Sequence, residues 1–212
     1  MWVSEKEKRT RLIKQELTTL KRELVKKDLE NLLLNANLDY RQEHGLLVNV
    51  PFFDEVIELG IPSFSFRKSR GNVDTLLKIV ILKYLKNLEK INDEKFFDFV
   101  NLRELSLIKA KTLKSIERLF AYDAKSFLRY GIALGGKEMA YSDTSIIFTI
   151  LPGVEILFVF REAEEEREAK LDVLVKKNIQ QIFSETELLY LTKIIIKKIL
   201  NYAKLKMCED FL

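Results

Sequence analysis

The sequence contains almost none of the residues that build metal centres and covalent cross-links. Among its 212 residues there is one cysteine, Cys208, and one histidine, His44. A single cysteine excludes an internal disulfide and any zinc or iron–sulfur centre held by several cysteines. A single histidine excludes a His-rich metal site, and no serine lies in the G-x-S-x-G pattern of a hydrolase elbow. We therefore expect His44 to be a turn residue in water, and no cofactor is identified by the sequence.

The chain also has no strong charge bias and no apolar leader. Lys and Arg number 36 against 32 Asp and Glu, with the two signs interspersed. This balance falls short of the basic bias of nucleic-acid-binding domains, so no nucleic-acid partner is predicted. The N-terminal residues contain no signal-like apolar segment, and the longest apolar stretch is too short for a membrane helix. We expect a cytoplasmic protein that does not associate with membranes.

The stretch 144–160 (TSIIFTILPGVEILFVF) organises the predicted fold. It consists of two strand-length apolar runs, 146–151 and 154–160, that are separated by Pro152-Gly153. β-Branched and aromatic residues dominate both runs, which favours strands, and Pro-Gly is typical of a type II turn. Because residues of both parities are apolar, both faces of the hairpin are predicted to be buried. The fold class predicted is α+β, with an antiparallel or mixed central sheet and helices packed on it.

Residues 4–34 are predicted to form a long N-terminal helix. Ser4 and Glu7 have the spacing of a capping box. Leucines and an isoleucine recur at helical spacing, at Ile13, Leu17, Leu20 and Leu24 and then at Leu29, Leu32 and Leu33. The helix either packs on the chain's own sheet or serves, through residues 4–28, in self-association or in binding a protein partner. The predicted division is therefore an N-terminal helix or arm, 1–34, and one α+β domain, 35–212.

The remaining elements follow from local patterns. Strands are predicted at 38–42, 46–50, 56–59, 61–66, 95–100, 138–141 and 171–175, with a hairpin loop at Glu43-His44-Gly45. Helices are predicted at 73–87, 103–120, 124–134 and 184–203. Gly135-Gly136 would end the third of these helices as a C-cap, and the sequence Ser-Glu-Thr-Glu from Ser184 would begin the fourth with a capping box.

One basic loop has the features of an anion site. Arg67, Lys68 and Arg70 precede the helix predicted from residue 73, and Asn72 is the predicted cap of that helix. Free N–H groups at a helix start, beside basic side chains, are typical of anion binding. A solvated surface loop is the alternative interpretation.

Two other motifs are weaker. Gly131 to Lys137 matches the spacing of a phosphate-binding loop, but Glu138 replaces its Ser or Thr and the order is helix before strand, so the match indicates a helix C-cap. The acidic run 162–168 does not have the spacing of a calcium loop and is interpreted as a solvated turn.

A second candidate site lies beside the Gly-Gly turn and the central strands. Arg129, Tyr130, Tyr141 and Asp143 cluster there in the sequence and supply the residue types of a polar pocket. Two functions stay open. The first is a non-enzymatic binding or accessory module for an anionic ligand or a protein partner. The second is a small enzyme or cofactor-handling protein that uses this pocket.

Several segments resemble a prokaryotic family known as domain of unknown function 3786. They are 46–53 (LLVNVPFF), 76–85 (LLKIVILKYL), 94–102 (EKFFDFVNL), 148–160, 171–182 and 184–191 (SETELLYL). The resemblance covers most of residues 28–200 and implies the same α+β elements, but it carries no activity. The chain departs from the family pattern at Arg161, Lys176 and Val100, where Trp, Asp and Arg are usual, and it has none of the Cys-rich iron–sulfur segments of some relatives.

Overall fold

The computed structural model describes residues 4–69, 71–91, 98–103, 110–142 and 144–209. Its contacts divide the chain into two compact units, Met1–Glu94 and Lys95–Leu212. The division expected from the sequence has its boundary after residue 34, so it differs from this grouping. Within the described residues, no helix combines the length and the apolar character needed to cross a membrane.

The first unit combines helices with a four-stranded antiparallel sheet in the order β1-β2-β3-β4. Its elements are α1 (Glu5–Val25), α2 (Leu29–Asn35), β1 (Tyr40–Gln42), β2 (Leu46–Phe52), β3 (Glu55–Ile61), β4 (Ser65–Lys68), α3 (Thr75–Lys86) and α4 (Leu88–Ile91). The predicted capping box is confirmed, since Ser4 accepts from the Glu7 N–H while the Glu7 carboxylate accepts from the Ser4 N–H.

The single helix predicted over 4–34 is wrong, because the chain breaks between α1 and α2. Asp28 caps α2 by accepting a hydrogen bond from the Asn31 N–H at 3.3 Å. The leucine stripe continues across the break, so Leu20 and Leu24 of α1 and Leu33 of α2 are all buried. α1 packs along another helix, α3, whereas the predicted packing surface was the sheet. The buried leucines of α1 therefore contribute to the core of its own unit.

Two other expectations for this unit are corrected. Residues 61–66 do not form one strand: β3 ends at Ile61, Phe64 has a φ of +54°, and β4 begins at Ser65. The helix predicted from residue 73 begins at Thr75, and its N-cap is Asp74 rather than Asn72. As predicted, α3 is largely buried, with Ile79, Val80, Ile81 and Leu82 fully enclosed.

The second unit is a five-stranded antiparallel sheet with helices packed on it, in the strand order β5-β9-β8-β7-β6. Its elements are β5 (Phe99–Asn101), α5 (Ala110–Leu119), α6 (Ala124–Ala133), β6 (Lys137–Glu138), β7 (Ser145–Leu151), β8 (Val154–Arg161), β9 (Lys170–Lys176), α7 (Lys177–Ile182) and α8 (Glu185–Glu209). The predicted strand 95–100 and helix 103–120 fall partly outside the described residues.

The central hairpin is confirmed, and β8 is the middle strand of its sheet. Gly153 has a φ of +77°, the positive φ expected of the third residue of a type II turn. Neighbouring residues of opposite parity, such as Ile146 and Ile147, are both buried, so the sheet is covered on both faces.

α6 packs on the sheet face that carries Ile146 and Phe148. A Cβ on Gly131 would lie 2.3 Å from Ile146 Cδ1, so any larger residue at this position would force the Ile146 side chain to move. Beyond the helix, Gly135 adopts a φ of +87° and donates its N–H to Ile132 O. The predicted Gly-Gly C-cap is thus confirmed. The helix α6 precedes the strand β6, which is the reverse of the order in a phosphate-binding loop.

Candidate binding sites

The residues of the predicted anion loop do not converge. Arg67 and Lys68 are consecutive residues of β4, and successive side chains of a strand point to opposite faces. Lys68 pairs with Glu55 at 3.6 Å, whereas Arg67 lies on the side of Glu58. The two cations are therefore directed to different surroundings.

The helix that follows the loop already carries an anion of its own. The Asp74 carboxylate accepts hydrogen bonds from the N–H groups of Leu76 and Leu77, both at 2.9 Å. A carboxylate in this position takes up the donors that an external anion would need. Since Arg70 lies outside the described residues, the four-residue site Arg67, Lys68, Arg70 and Asn72 stays a prediction.

Arg67 instead lines a cavity of about 500 Å³ at one end of the first sheet, which we call the hairpin cavity. The strand register creates it, because Leu46 pairs with Ile61 and Gly60 pairs with Ser65. This register brings the β1–β2 loop beside the turn that joins β3 to β4. The lining residues are Glu43, His44, Gly45, Leu46, Leu47, Glu58, Gly60, Ile61, Pro62, Ser63, Ser65 and Arg67.

Two hydroxyls contribute to the polar lining of the hairpin cavity, beside the charged side chains. Ser63 Oγ donates to Ser65 Oγ at 3.2 Å. A Cβ on Gly60 would lie 2.6 Å from Ser65 Oγ and 3.3 Å from Ser63 Oγ, so this glycine keeps space open for both hydroxyls. Each hydroxyl can donate one hydrogen bond and accept others, so the pair can reorient towards a bound ligand.

The charges around this cavity leave Arg67 available. Glu58 accepts a hydrogen bond from Arg41 at 3.4 Å, and Glu43 lies 3.7 Å from the same guanidinium. Arg67 approaches Glu58 only to 3.9 Å, and its side chain is 81% exposed. A contact of that length is no hydrogen bond. The cavity therefore presents a guanidinium and two hydroxyls to solvent, a donor set suited to a carboxylate or phosphate oxygen.

The predicted polar pocket is only partly assembled. Arg129 and Tyr130 are neighbours on α6, with the guanidinium 5.1 Å from the centre of the Tyr130 ring. The Tyr130 ring is buried against Phe120 and Tyr202, at centroid distances of 5.9 and 5.6 Å. These aromatic contacts belong to the core between α6 and α8, so Tyr130 contributes mainly to packing.

Tyr141 lies on the other side of the sheet. Its ring contacts Phe99 edge-on at 6.2 Å, and Phe99 packs on the cluster of Ile147, Leu157, Val159 and Leu174. That cluster is opposite to the face on which α6 and Tyr130 lie. The structure does not bring Tyr130 and Tyr141 together, and Asp143 lies outside the described residues, so the predicted pocket stays a prediction.

The acidic run forms a turn on the second unit that is flanked by two grooves. Residues 162–169 form a turn closed by the pairing of Glu164 with Arg167, and a groove runs along each side of this turn. The groove towards α5, which we call the α5 groove, has a volume of about 480 Å³. Its lining residues are Lys114, Glu117, Arg118, Ala121, Tyr122, Ala163, Glu164, Glu165, Glu166, Arg167, Glu168 and Ala169. Tyr122 in this lining is 82% exposed.

The groove on the other side lies beside the ends of the central strands and has a volume of about 700 Å³. Arg161 and Lys170 line it, together with Ser142, Thr144 and Arg167. Arg161 donates to the buried Asp172 carboxylate, and Lys170 Nζ lies 3.3 Å from its other oxygen. These two cations therefore stabilise a buried carboxylate as well as lining the groove.

Sequence reasoning missed these surfaces because each depends on contacts between segments far apart in the chain. His44 and Ser65 share a cavity only through the register of β2, β3 and β4. Gly60 was the available signal, since a glycine in a strand marks a close approach. Tyr122 gave no signal, because an exposed tyrosine between two helices has no distinctive pattern.

Comparisons with known proteins give a single result. The sequence pattern of the family described as "Domain of unknown function (DUF3786)" matches residues 28–198, well over half of the chain. The resemblance inferred from the sequence is thereby confirmed. No curated protein and no solved structure matches the chain. Among the described residues, no group of three or more His, Cys, Asp or Glu side chains could hold a metal ion.

Proposed function

Because the chain belongs to the DUF3786 family, whose description carries no activity, we propose its function from the geometry alone. It is a non-enzymatic binding module whose first unit takes a small ligand bearing a carboxylate or phosphate. The site is the hairpin cavity. One observation carries the proposal: Arg67 is 81% exposed at this cavity, pairs with Glu58 only at 3.9 Å, and lines the cavity together with Ser63 and Ser65.

The physical argument concerns which charges are already used. Arg41 lies close to both carboxylates near the cavity, Glu43 and Glu58. The remaining guanidinium, on Arg67, can form a bidentate pair with an oxyanion, and two hydroxyls can donate to its other oxygens. Leu46, Leu47, Ile61 and Pro62 supply the apolar wall that ligand sites usually have.

A melting assay tests the proposal. Phosphate at about 100 times its Kd should raise the free energy of unfolding by about 2.7 kcal/mol if it binds only the folded chain. Phosphate and sulfate also stabilise proteins non-specifically, because they are excluded from protein surfaces. The measured quantity is therefore the difference in phosphate stabilisation between the native chain and Arg67→Ala.

Lys68→Ala is the matched control, since it removes the same charge from the next residue of β4 on the opposite face. We expect Arg67→Ala to lose the specific part of the stabilisation and Lys68→Ala to keep it. The Ser63→Ala/Ser65→Ala variant should lie between them. Equal stabilisation of the native chain and of Arg67→Ala by phosphate would refute the site.

The alternative, an enzyme or cofactor-handling protein, has less support. The groove beside the central strands is large and polar, but Arg161 and Lys170 in its lining already contact Asp172. Both cations are therefore engaged in compensating a buried carboxylate. We therefore favour the binding module and expect it to act in the cytoplasm.

A protein partner for residues 4–28 is the second candidate. The described side chains from Glu5 to Leu12 are all exposed, and Leu12 is one of the most exposed leucines among the described residues. If this segment self-associates, removal of residues 4–12 should lower the number of chains in each particle, which sedimentation measures as a fall in particle mass. An unchanged monomeric mass for both forms would contradict self-association.

A further inference from the structure

We propose that the first unit also binds double-stranded nucleic acid, through the phosphate backbone and along the solvent face of α1. This face, which we call the basic face, is independent of the hairpin cavity. It carries five exposed cations, which are Lys8, Arg11, Lys14, Arg22 and Lys26. The sequence predicted no nucleic-acid partner because the charges of the whole chain nearly balance, whereas the fold separates the cations of α1 from its carboxylates.

The carboxylates in the middle of α1 are used within the unit. From residue 8 to residue 26 the chain has two of them, Glu16 and Glu23. Glu16 Oε1 lies 2.7 Å from Lys83 Nζ, and Glu23 accepts a hydrogen bond from Lys86 Nζ at 2.7 Å. Both lysines belong to α3, on which α1 packs. These pairs therefore neutralise the inner side of α1 and leave its outer side positive.

The cations of the basic face have no such partners. None of the five makes an ion pair or a side-chain hydrogen bond with any residue in the described ranges. Positions 8, 11, 15, 18, 22 and 26 recur at intervals of three or four residues, which is the spacing of a single helix face. This face extends over about 27 Å at a rise of about 1.5 Å per residue. A long row of cations without counter-charges suits a partner that carries many regularly spaced anions.

A groove of about 500 Å³ on the basic face is lined by side chains that can donate hydrogen bonds. The lining residues are Arg11, Lys14, Gln15, Thr18, Thr19 and Arg22. Thr18 Oγ1 already donates to Lys14 O at 2.9 Å, so Gln15 and Thr19 are the neutral donors left for a ligand. Arginine, lysine, threonine and glutamine side chains are the groups that contact phosphate oxygens in nucleic-acid complexes. The lining therefore has the chemistry of a phosphate-backbone contact.

The composition of α1 favours a duplex over a single strand or a membrane. Glu5–Val25 contains no aromatic residue, so this helix offers no ring on which the bases of a single strand could stack. The apolar stripe that a membrane-surface helix would insert between lipids is instead buried in the unit, at Leu20 and Leu24. Contacts to phosphates fix a protein on a duplex without reading its sequence. We therefore expect binding that is independent of base sequence.

A protein partner fits the basic face less well. Protein interfaces are depleted of lysine and have an apolar core. The exposed large apolar residues of α1, Leu12 and Val25, lie about 20 Å apart along the helix axis, so they do not form one patch. Self-association through residues 4–12 would use Leu12 and would leave most of the groove open, including Thr18 and Thr19.

Fluorescence anisotropy with labelled duplexes over a series of salt concentrations tests the proposal. The probes are a DNA and an RNA duplex of about 16 base pairs, twice the length of the basic face at about 3.4 Å per base pair. We expect saturable binding of at least one duplex, and the one bound more tightly identifies the nucleic acid. The logarithm of the DNA association constant should fall against the logarithm of salt concentration with a slope of about −3 to −4, equivalent to about three or four phosphate contacts. Absence of saturable binding to both duplexes would overturn the proposal.

Two other polyanions serve as competitors for the bound duplex. They are a polyglutamate peptide and vesicles that contain phosphatidylserine. We expect the duplex to stay bound when either is added at equal charge concentration. Displacement by polyglutamate would assign the basic face to an acidic protein, and displacement by the vesicles would assign it to a membrane surface; either result would reject a duplex partner.

A triple variant locates the binding on α1. Arg11→Gln/Lys14→Gln/Arg22→Gln removes three cations from the groove while keeping polar side chains there. At about 0.9 per phosphate contact, the steepness of the salt dependence should fall by about 3 for DNA, and binding should become correspondingly weaker at low salt. An unchanged slope would reject the basic face as the binding surface. Because all three positions are exposed, we expect the melting temperature to stay close to that of the native chain.

The matched control removes the same charge from another helix. Lys193→Gln/Lys197→Gln/Lys204→Gln replaces three exposed lysines of α8, in the second unit. Both triple variants have the same net charge, so a difference between them reports the location of the cations rather than the total charge. We expect the α8 variant to bind the duplex with the native affinity and the native salt slope. An equal loss in the two variants would indicate non-specific attraction to a positively charged chain and would overturn the proposal.

Discussion

Replacement of Arg103 by methionine should destabilise the second unit by several kcal/mol. Arg103 Nη1 donates to Glu117 Oε1 and to Leu171 O, at 2.5 and 3.0 Å, and so ties α5 to β9 through a single guanidinium. In Arg103→Met the Glu117 carboxylate stays buried but retains only the donor from Leu171. Removing one partner of a buried ion pair costs about 3–5 kcal/mol. The Arg103 side chain is 24% exposed, so solvent screening reduces our expectation to about 2–4 kcal/mol.

The assay is urea unfolding followed by circular dichroism, with hydrogen exchange at the Leu171 N–H as a local measurement. Lys176→Met is the control, because Lys176 pairs with Glu155 at 3.2 Å with both side chains about one-third exposed. Its cost should be below about 1 kcal/mol. The double variant Arg103→Met/Glu117→Met should recover much of the loss, since an apolar pair often replaces a buried ion pair without cost. An Arg103→Met variant within about 0.5 kcal/mol of the native chain, a change typical of surface sites, would refute this reasoning.

Three further predictions concern helix packing and capping. Leu24→Ala in α1, at a fully buried position, should cost about 2–5 kcal/mol in urea unfolding, whereas Leu12→Ala, at an exposed position of the same helix, should cost less than about 0.5 kcal/mol. Gly131→Val should cost about 1–3 kcal/mol, because the new side chain overlaps Ile146; an unaffected melting temperature would contradict the close packing. Hydrogen bonds from the hydroxyl and the N–H of Ser126 hold the pKa of Asp123 below its ordinary value of 3.8. Asp123→Ala should therefore cost about 1 kcal/mol at neutral pH, and a pH series should show the difference from the native chain declining as pH falls below 3.8 through the lowered pKa.

The local features of the fold were predictable from the sequence. The central hairpin, the Ser4–Glu7 capping box and the Gly135 C-cap each depend on residues within a few positions of one another. The break after α1 was not predicted, because buried leucines continue beyond it at Leu29 and Leu33 and draw attention away from the cap at Asp28. The turn before β4 was missed because Phe64, rather than a glycine, adopts the positive φ.

The candidate sites were harder to predict, because they depend on how distant segments meet. Arg67 was identified from its basic neighbours, but strand alternation directs Lys68 away from it, and the register of β3 and β4 gives it serine hydroxyls instead. Similarly, only the packing of α5 beside the acidic turn brings Glu117 and Tyr122 into one groove. Neither arrangement has a signature in sequence spacing, since both follow from tertiary contacts.

A nitrogen–proton NMR titration with inorganic phosphate tests the central claim, an oxyanion site in the hairpin cavity, most directly. The account predicts saturable shifts of the Arg67 side-chain N–H groups and of the backbone amides of Ser63, Ser65 and Gly45, with the same Kd for each. Shifts that do not saturate, or that saturate only for residues away from the hairpin cavity, would contradict it.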